Sequence, residues 1–154
     1  MQIGVPLETT AGETRVAVTP ETAKKYVAQG HTVKVQSGAG VAASVPDVAY
    51  EAVGAQIVDR SGAFACELVL KVQRPFADEL ALMKPGTALV GMLNPFDKDG
   101  LAKMAAAGLT SFALEAAPVG ETLRFLARGS GIVAEFGEDD LVEPERGARA
   151  VLTR

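Results

Sequence analysis

The chain has 154 residues, 48% hydrophobic and 22% charged, the size and balance of one globular domain, so a multidomain enzyme is not expected from these residues. Lys+Arg number 15 against 19 Asp+Glu, and a formal charge of -4 offers no phosphate-neutralising surface, so no nucleic-acid partner is expected. One cysteine and one histidine cannot build a disulfide or a zinc site, and no uncharged stretch reaches the ~20 residues of a bilayer span; with no leader-like start, a reducing, cytoplasmic setting is expected.

In chain order, residues 2–6 read as a first strand and 20–29 as a helix. Thr19 is its N-cap, Pro20 its first helical position, Glu21 lies in its first turn and Gly30 is its stop. Residues 32–36 form the next strand, 47–53 a short helix closed by Gly54, and 55–58 a third strand. Residues 67–72 form a fourth strand, 77–83 a helix ended by Lys84-Pro85-Gly86, and 87–93 a fifth strand. A helix over 98–107 and a sixth strand over 110–114 complete a β/α series with short connections. That series predicts an α/β fold: a parallel sheet covered on both faces by helices. After Pro118 the rhythm changes to a helix-like piece over 121–128, a Gly129-Ser130-Gly131 turn, and strands over 132–136 and 149–153. The acidic residues between those strands (Glu138, Asp139, Asp140, Glu143 and Glu145, with Glu135 before them) lack calcium-loop spacing and read as a solvated turn, with no metal.

Gly38-Ala39-Gly40-Val41-Ala42-Ala43 fits the dinucleotide fingerprint G-x-G-x-x-A. Pro46 interrupts the helix that would have to face a pyrophosphate, so the segment reads as a Gly-rich turn at the sheet edge. Three residues stand out as cleft candidates, because ligands bind at the carboxyl edge of such sheets. Arg15 follows the first strand, and its guanidinium either takes a carboxylate or phosphate or pairs with Glu8 or Glu13. Lys71 interrupts the apolar pattern at the end of the fourth strand, and either snorkels to solvent or points into the crevice. Asn94 ends the fifth strand before Pro95, as a polar ligand contact or as a turn residue. Cys66 has no cationic sequence neighbour and reads as a packing thiol, and His31 as a structural residue.

Gly4-Val5-Pro6-Leu7-Glu8, Glu13-Thr14-Arg15-Val16-Ala17-Val18-Thr19-Pro20, Ser37-Gly38-Ala39-Gly40, the block from Ala49 to Ala55, Leu70-Lys71-Val72 and Lys84-Pro85-Gly86 recur in order. Together they resemble the N-terminal domain shared by alanine dehydrogenase and the alpha subunit of the proton-translocating NAD(P) transhydrogenase, over residues 1–118. The resemblance implies a flavodoxin-like domain that packs against a separate Rossmann domain holding NAD. It further implies a homodimer whose partners in the transhydrogenase are an NADP-binding domain and membrane subunits, peripheral to the membrane with no direct span. It matches Arg15 and Lys71 to the positions that hold the substrate carboxylate and carbonyl in alanine dehydrogenases, and it places Asn94 at or next to the catalytic histidine.

Deamination needs proton transfer beside the hydride, whereas transhydrogenation between NAD and NADP has no obligatory acid/base step, so the missing histidine leans the expectation to the transhydrogenase branch. Residues 119–154 resemble the segment that follows the Rossmann domain and closes the first domain, so the nucleotide domain is expected to be absent and no cofactor to bind this chain tightly. The expected function is the first domain of a transhydrogenase alpha subunit, inactive alone. The alternatives are an alanine-dehydrogenase-like domain that binds a small 2-oxo or 2-amino acid, and a non-catalytic dimerisation or carboxylate-sensing module.

Overall fold

The structure, a computed structural model, describes residues 1–116 and, beyond them, strands at Leu123–Ala127, Ile132–Phe136 and Val151–Thr153. The chain divides into two units, residues 1–115 and 116–154.

The first unit is built on six parallel strands: β1 Gln2–Val5, β2 Thr32–Gln36, β3 Gln56–Val58, β4 Leu68–Gln73, β5 Ala88–Met92 and β6 Thr110–Ala113. Their spatial order is β3-β2-β1-β4-β5-β6. The chain therefore winds outward from β1 to β3, crosses back, and winds the other way from β4 to β6. Right-handed crossovers then put the helices of the two halves on opposite faces, as expected of the α/β fold. Without β3 the order is the flavodoxin-like one, so β3 is an added edge strand. The reversal of winding falls between β1 and β4, and the crevice at their carboxyl ends is where such sheets bind ligands.

The helices are α1 Pro20–Ala28, α2 Asp47–Glu51, α3 Arg60–Phe64, α4 Ala77–Leu80 and α5 Lys98–Ala106. Thr19 caps α1, its hydroxyl accepting from the Thr22 N–H, and Pro20 occupies the first turn, where a missing N–H costs nothing. Sequence periodicity misses α3, a single turn containing Gly62; its signal is Asp59, whose carboxylate accepts from the Gly62 N–H at 2.7 Å. The helices over 47–53 and 77–83 are shorter than expected, α2 and α4 ending at Glu51 and Leu80. On one face Phe64, Val69, Leu80, Met83, Leu89, Leu93 and Met104 form a core cluster. Each such side chain contributes roughly 1.5–3 kcal/mol by leaving water. No helix among the described residues is long and apolar enough to cross a membrane.

The second unit contains β7 Leu123–Ala127, β8 Ile132–Phe136 and β9 Val151–Thr153 in one antiparallel sheet, order β7-β8-β9. This corrects the C-terminal helix expected over 121–128: Leu123 to Ala127 is a strand, paired with β8 from Leu123 opposite Phe136 to Ala127 opposite Ile132. Leu123-Arg124-Phe125-Leu126-Ala127, apolar but for Arg124 and close to Gly129-Ser130-Gly131, suits a hairpin strand better than an isolated helical turn. The expected strands at 132–136 and 149–153 correspond to β8 and the shorter β9. Pro118, where the rhythm of the sequence changes, the Gly129 to Gly131 turn and the acidic residues from Glu138 to Glu145 lie outside the described residues.

Candidate functional site

The loop between β1 and α1, residues 6–19, carries Glu8, Glu13 and Arg15 over the crevice. It is fastened on several sides. The Leu7 N–H donates to the Gln36 side-chain oxygen at 3.1 Å, and the hydroxyl of the fully buried Tyr50 donates to the Val18 carbonyl at 2.8 Å. Burial pushes that phenol up to about 12, so it remains a neutral donor.

Lys71 owes its position to an irregularity in the sheet. The β4–β5 pairing advances from Leu70–Val90 to Gln73–Met92, three steps on β4 against two on β5. The extra residue behaves as a β-bulge, re-aiming a side chain and freeing amides from the ladder. Lys71 thus turns inward beside the buried Leu70 instead of snorkelling to solvent. The freed N–H groups of Val72 and Gln73 both donate to the Glu8 carboxylate, at 2.6 and 3.3 Å. Opposite the bulge stands Gly91, where a Cβ would lie 2.5 Å from the Lys71 carbonyl oxygen.

The Lys71 ammonium lies 3.4 Å from Glu8 Oε2 and 3.2 Å from Glu79 Oε1, with side-chain exposures of 1%, 3% and 0% for the three residues. The Phe64 ring lies under it, 5.7 Å from Nζ to the centroid. Glu79 is a hub: Oε1 also accepts from the Thr9 hydroxyl, Oε2 accepts from the Phe76 N–H at 2.9 Å, and Arg60 stands 4.0 Å away while paired with Asp78. Burial pushes the Glu8 carboxyl above its ordinary range, against the opposing pull of Lys71 and the two backbone donors.

Arg15 pairs with Glu13, one of the two partners its spacing allowed. Nε donates to Oε1 at 2.8 Å and NH2 to Oε2 at 2.7 Å, a two-bond fork, and the Arg15 backbone N–H adds a third bond. The Gln73 amide closes the arrangement by donating to Glu13 Oε2 at 2.8 Å, tying the fork to the end of β4. Held chiefly by Arg15, the Glu13 carboxyl drops to about 2. The Arg15 side chain remains 56% exposed, so part of it stays open to solvent.

Asn94 sits at the same sheet edge, after β5, in a left-handed turn (φ 52°) that asparagine tolerates well. Its backbone N–H and that of Leu93 donate to Glu115. Asn94 thus stands in a turn at the edge that carries Arg15 and Lys71. His31 precedes β2 and Cys66 precedes β4, both at the opposite, amino edge of the sheet. Cys66 is buried, and burial pushes its thiol up, as suits a packing residue. Glu79 and Gln73 are the functional-site neighbours that sequence reasoning does not single out. A glutamate three residues into a short helix reads as an exposed cap, and only the tertiary fold buries it.

The Gly38–Ala43 turn does not fit a dinucleotide. The Gly38 N–H already donates to the Asp47 carboxylate at 2.9 Å, and the Ser37 hydroxyl donates to it at 2.7 Å. A side-chain anion thus occupies the donors a phosphate would need. Residues Val41–Ala43 form one 3-10 turn, the following helix begins only at Asp47, and a Cβ at Gly40 would lie 2.6 Å from the Val45 carbonyl. This turn is closed against its own chain.

Comparisons with known proteins agree with this architecture. Residues 4–133 match the family described as "Alanine dehydrogenase/PNT, N-terminal domain", a match that runs past Pro118 into β8. The chain is 33% identical to alanine dehydrogenase of Bacillus subtilis, over 99% of this chain and 42% of that protein. It is 36% identical to NAD(P) transhydrogenase subunit alpha of Haemophilus influenzae, over 77% of this chain and 23% of that one. Among solved structures, the transhydrogenase from Sinorhizobium meliloti superposes with a TM-score of 0.74 at 34% identity, covering 77% of this chain and 36% of that one. An L-alanine dehydrogenase superposes with a TM-score of 0.72 at 32% identity, covering 85% and 35%. The chain spans less than half the length of these relatives, and it is similar to both branches to a comparable degree, which gives the family and not the branch. With an NAD(P)-linked oxidoreductase association common to its relatives, the chain belongs to the alanine dehydrogenase/PNT N-terminal domain family.

Proposed function

We propose that this chain is the substrate-side domain of an NAD(P)-linked oxidoreductase of the alanine dehydrogenase type, and that it binds a small 2-oxo or 2-amino acid at the carboxyl ends of β1 and β4. What supports the reading is that Arg15, through Glu13, and Lys71, through Glu8, are both tied to Gln73 at the carboxyl end of β4, beside the point where strand winding reverses. The exposed part of Arg15 takes the ligand carboxylate while Glu13 and Gln73 hold the other side. On this reading Lys71, which in the ligand-free chain is paired with Glu8 and Glu79, is the residue that meets the 2-oxo or 2-amino group. NAD or NADP belongs to a second, Rossmann-type domain, because the only dinucleotide-like turn among the described residues is filled by Asp47.

Calorimetric titration with pyruvate and with alanine tests the reading. Binding that weakens at least tenfold in Arg15→Ala supports it, and equal heats for both proteins contradict it. A fork lost from a carboxylate is worth about 1.5–3 kcal/mol, enough for that change.

A second reading, a transhydrogenase-type first domain that lines a hydride-transfer cleft, is favoured by one residue. Asn94 stands in a turn where the family's dehydrogenases are expected to carry a histidine. Under that reading pyruvate leaves the chain untouched, and the surface around Asn94 responds only when an NAD-loaded partner domain is added.

A further inference from the structure

The geometry points to Glu79 as the positioning residue of Lys71: it holds the ammonium in register with the loop that carries Arg15, so that the crevice distinguishes a 2-oxo acid from the same acid without its oxo group. In its ligand-binding part this rests on the function proposed above. Three observations carry it.

The first is the footing of the two carboxylates beside Lys71. Nζ donates to Glu79 Oε1 at 3.2 Å and lies 3.4 Å from Glu8 Oε2. Glu8 belongs to the 6–19 loop, and its oxygens accept the Val72 and Gln73 N–H groups. Glu79 belongs to α4 and is fully buried, and its Oε2 accepts the Phe76 N–H at the start of the same helix at 2.9 Å. A carboxylate locked at one oxygen by its own helix start presents the other at a fixed place. The flexible stem of a lysine has no such lock of its own, so Glu79 Oε1 decides where the ammonium stops.

The second is connection. The same Oε1 accepts the Thr9 hydroxyl at 3.3 Å, in the loop that also carries Arg15. Arg15 is held by Glu13, and Glu13 by Gln73 at the end of β4. The loop that bears one cation and the strand that bears the other are thereby fastened twice, by Gln73 on Glu13 and by Glu79 on Thr9 and Lys71 together.

The third is the demand on position 79. Oε1 accepts from Lys71 and Thr9 while Oε2 accepts from Phe76, so both oxygens act only as acceptors. A glutamine has one acceptor oxygen, and its NH2 would meet either the Phe76 N–H or the Lys71 and Thr9 donors. In a fully buried site no water restores the lost bond. Glutamate serves both sides at once, and glutamine frees the ammonium or the helix start.

The test compares pyruvate with propionate, which keeps the carboxylate and lacks the oxo oxygen, by amide NMR titration of the full chain and of Glu79→Gln. The wild type is expected to hold pyruvate at least about tenfold more tightly than propionate, the worth of one hydrogen bond from an ammonium. In Glu79→Gln that preference is expected to fall at least about fivefold, while propionate, held by Arg15, changes by less than about twofold. A merely structural role weakens both acids alike; that result, an unchanged preference, or no preference in the wild type overturns the proposal. If the wild type binds neither acid, the proposed function fails by itself, and the ligand-free lysine ammonium spectrum decides the hold of Glu79 on Lys71. One ammonium protected from exchange is expected there, coupled across its hydrogen bond to the Glu79 carboxyl carbon, with the protection lost in Glu79→Gln. No protected ammonium, or one coupled to Glu8 alone, overturns the proposal. Should Glu79→Gln fail to fold, this wild-type coupling decides.

Discussion

Glu13 holds Arg15 by a two-bond fork while the Gln73 amide holds Glu13, so the most exposed cation of the crevice is anchored to the end of β4 through a nearly buried carboxylate. The acid stability of the fold should reflect this arrangement. The Glu13 carboxyl falls to about 2 in the folded chain from an ordinary 4.5, so the unfolded chain binds the proton first. The contribution of Glu13 is complete above about 4.5 and is lost as pH falls towards 2. Chemical denaturation across that window should show stability dropping with acid in the wild type, with a shallower slope in Glu13→Gln. Identical slopes would mean that the fork contributes nothing.

Glu8 has the opposite sign. Its folded pKa is raised, so between its unfolded and folded values the native chain binds more protons than the unfolded one. Stability from this group is therefore present at low pH and lost as pH rises through the folded value. Denaturation midpoints of Glu8→Gln and wild type should converge below pH 4.5 and separate as the pH rises, with the wild type losing more.

Removing the cation should be far worse than removing one anion. Lys71→Met leaves Glu79 and Glu8 buried without their partner, a loss of about 3–5 kcal/mol by the usual cost of breaking a buried pair. Urea unfolding measures it, and a loss below about 1 kcal/mol would show that water reaches the cluster.

Gly91 is the structural complement of the bulge that aims Lys71 inward. An added Cβ meets the Lys71 backbone carbonyl at 2.5 Å, and backbone has no rotamer by which to yield, so Gly91→Ala must shift β4 or β5 locally. A destabilisation of about 1–3 kcal/mol is expected, with amide shifts at Val72 and Gln73 as their bonds to Glu8 move. Unchanged shifts would detach the bulge from the site.

Much of this is legible in the sequence, and the remainder has a common cause. Thr19-Pro20 at the start of α1 and the charge that interrupts Leu68-Val69-Leu70 report local chemistry, so the β/α series, Arg15 and Lys71 are all visible. The short helix α3 is not, because Gly62 and a single turn leave no periodicity to read. Glu79 is hidden because its role depends on β4, α3 and the 6–19 loop meeting around it. Glu8 is visible as a partner of an arginine, but the bulge gives it to Lys71 and the β4 amides instead. The strand at Leu123–Ala127 replaces the expected helix because pairing with Ile132–Phe136 outweighs the weak propensity of one short run.

The central claim is that a small carboxylate with a 2-oxo or 2-amino group binds between β1 and β4, and amide NMR during a pyruvate titration tests it most directly. The account predicts saturable shifts concentrated at residues 8–15, at Lys71, Val72 and Gln73, and at Gly91 opposite the bulge, all lost in Arg15→Ala. No saturable shift, or shifts centred elsewhere and unchanged in Arg15→Ala, would contradict it.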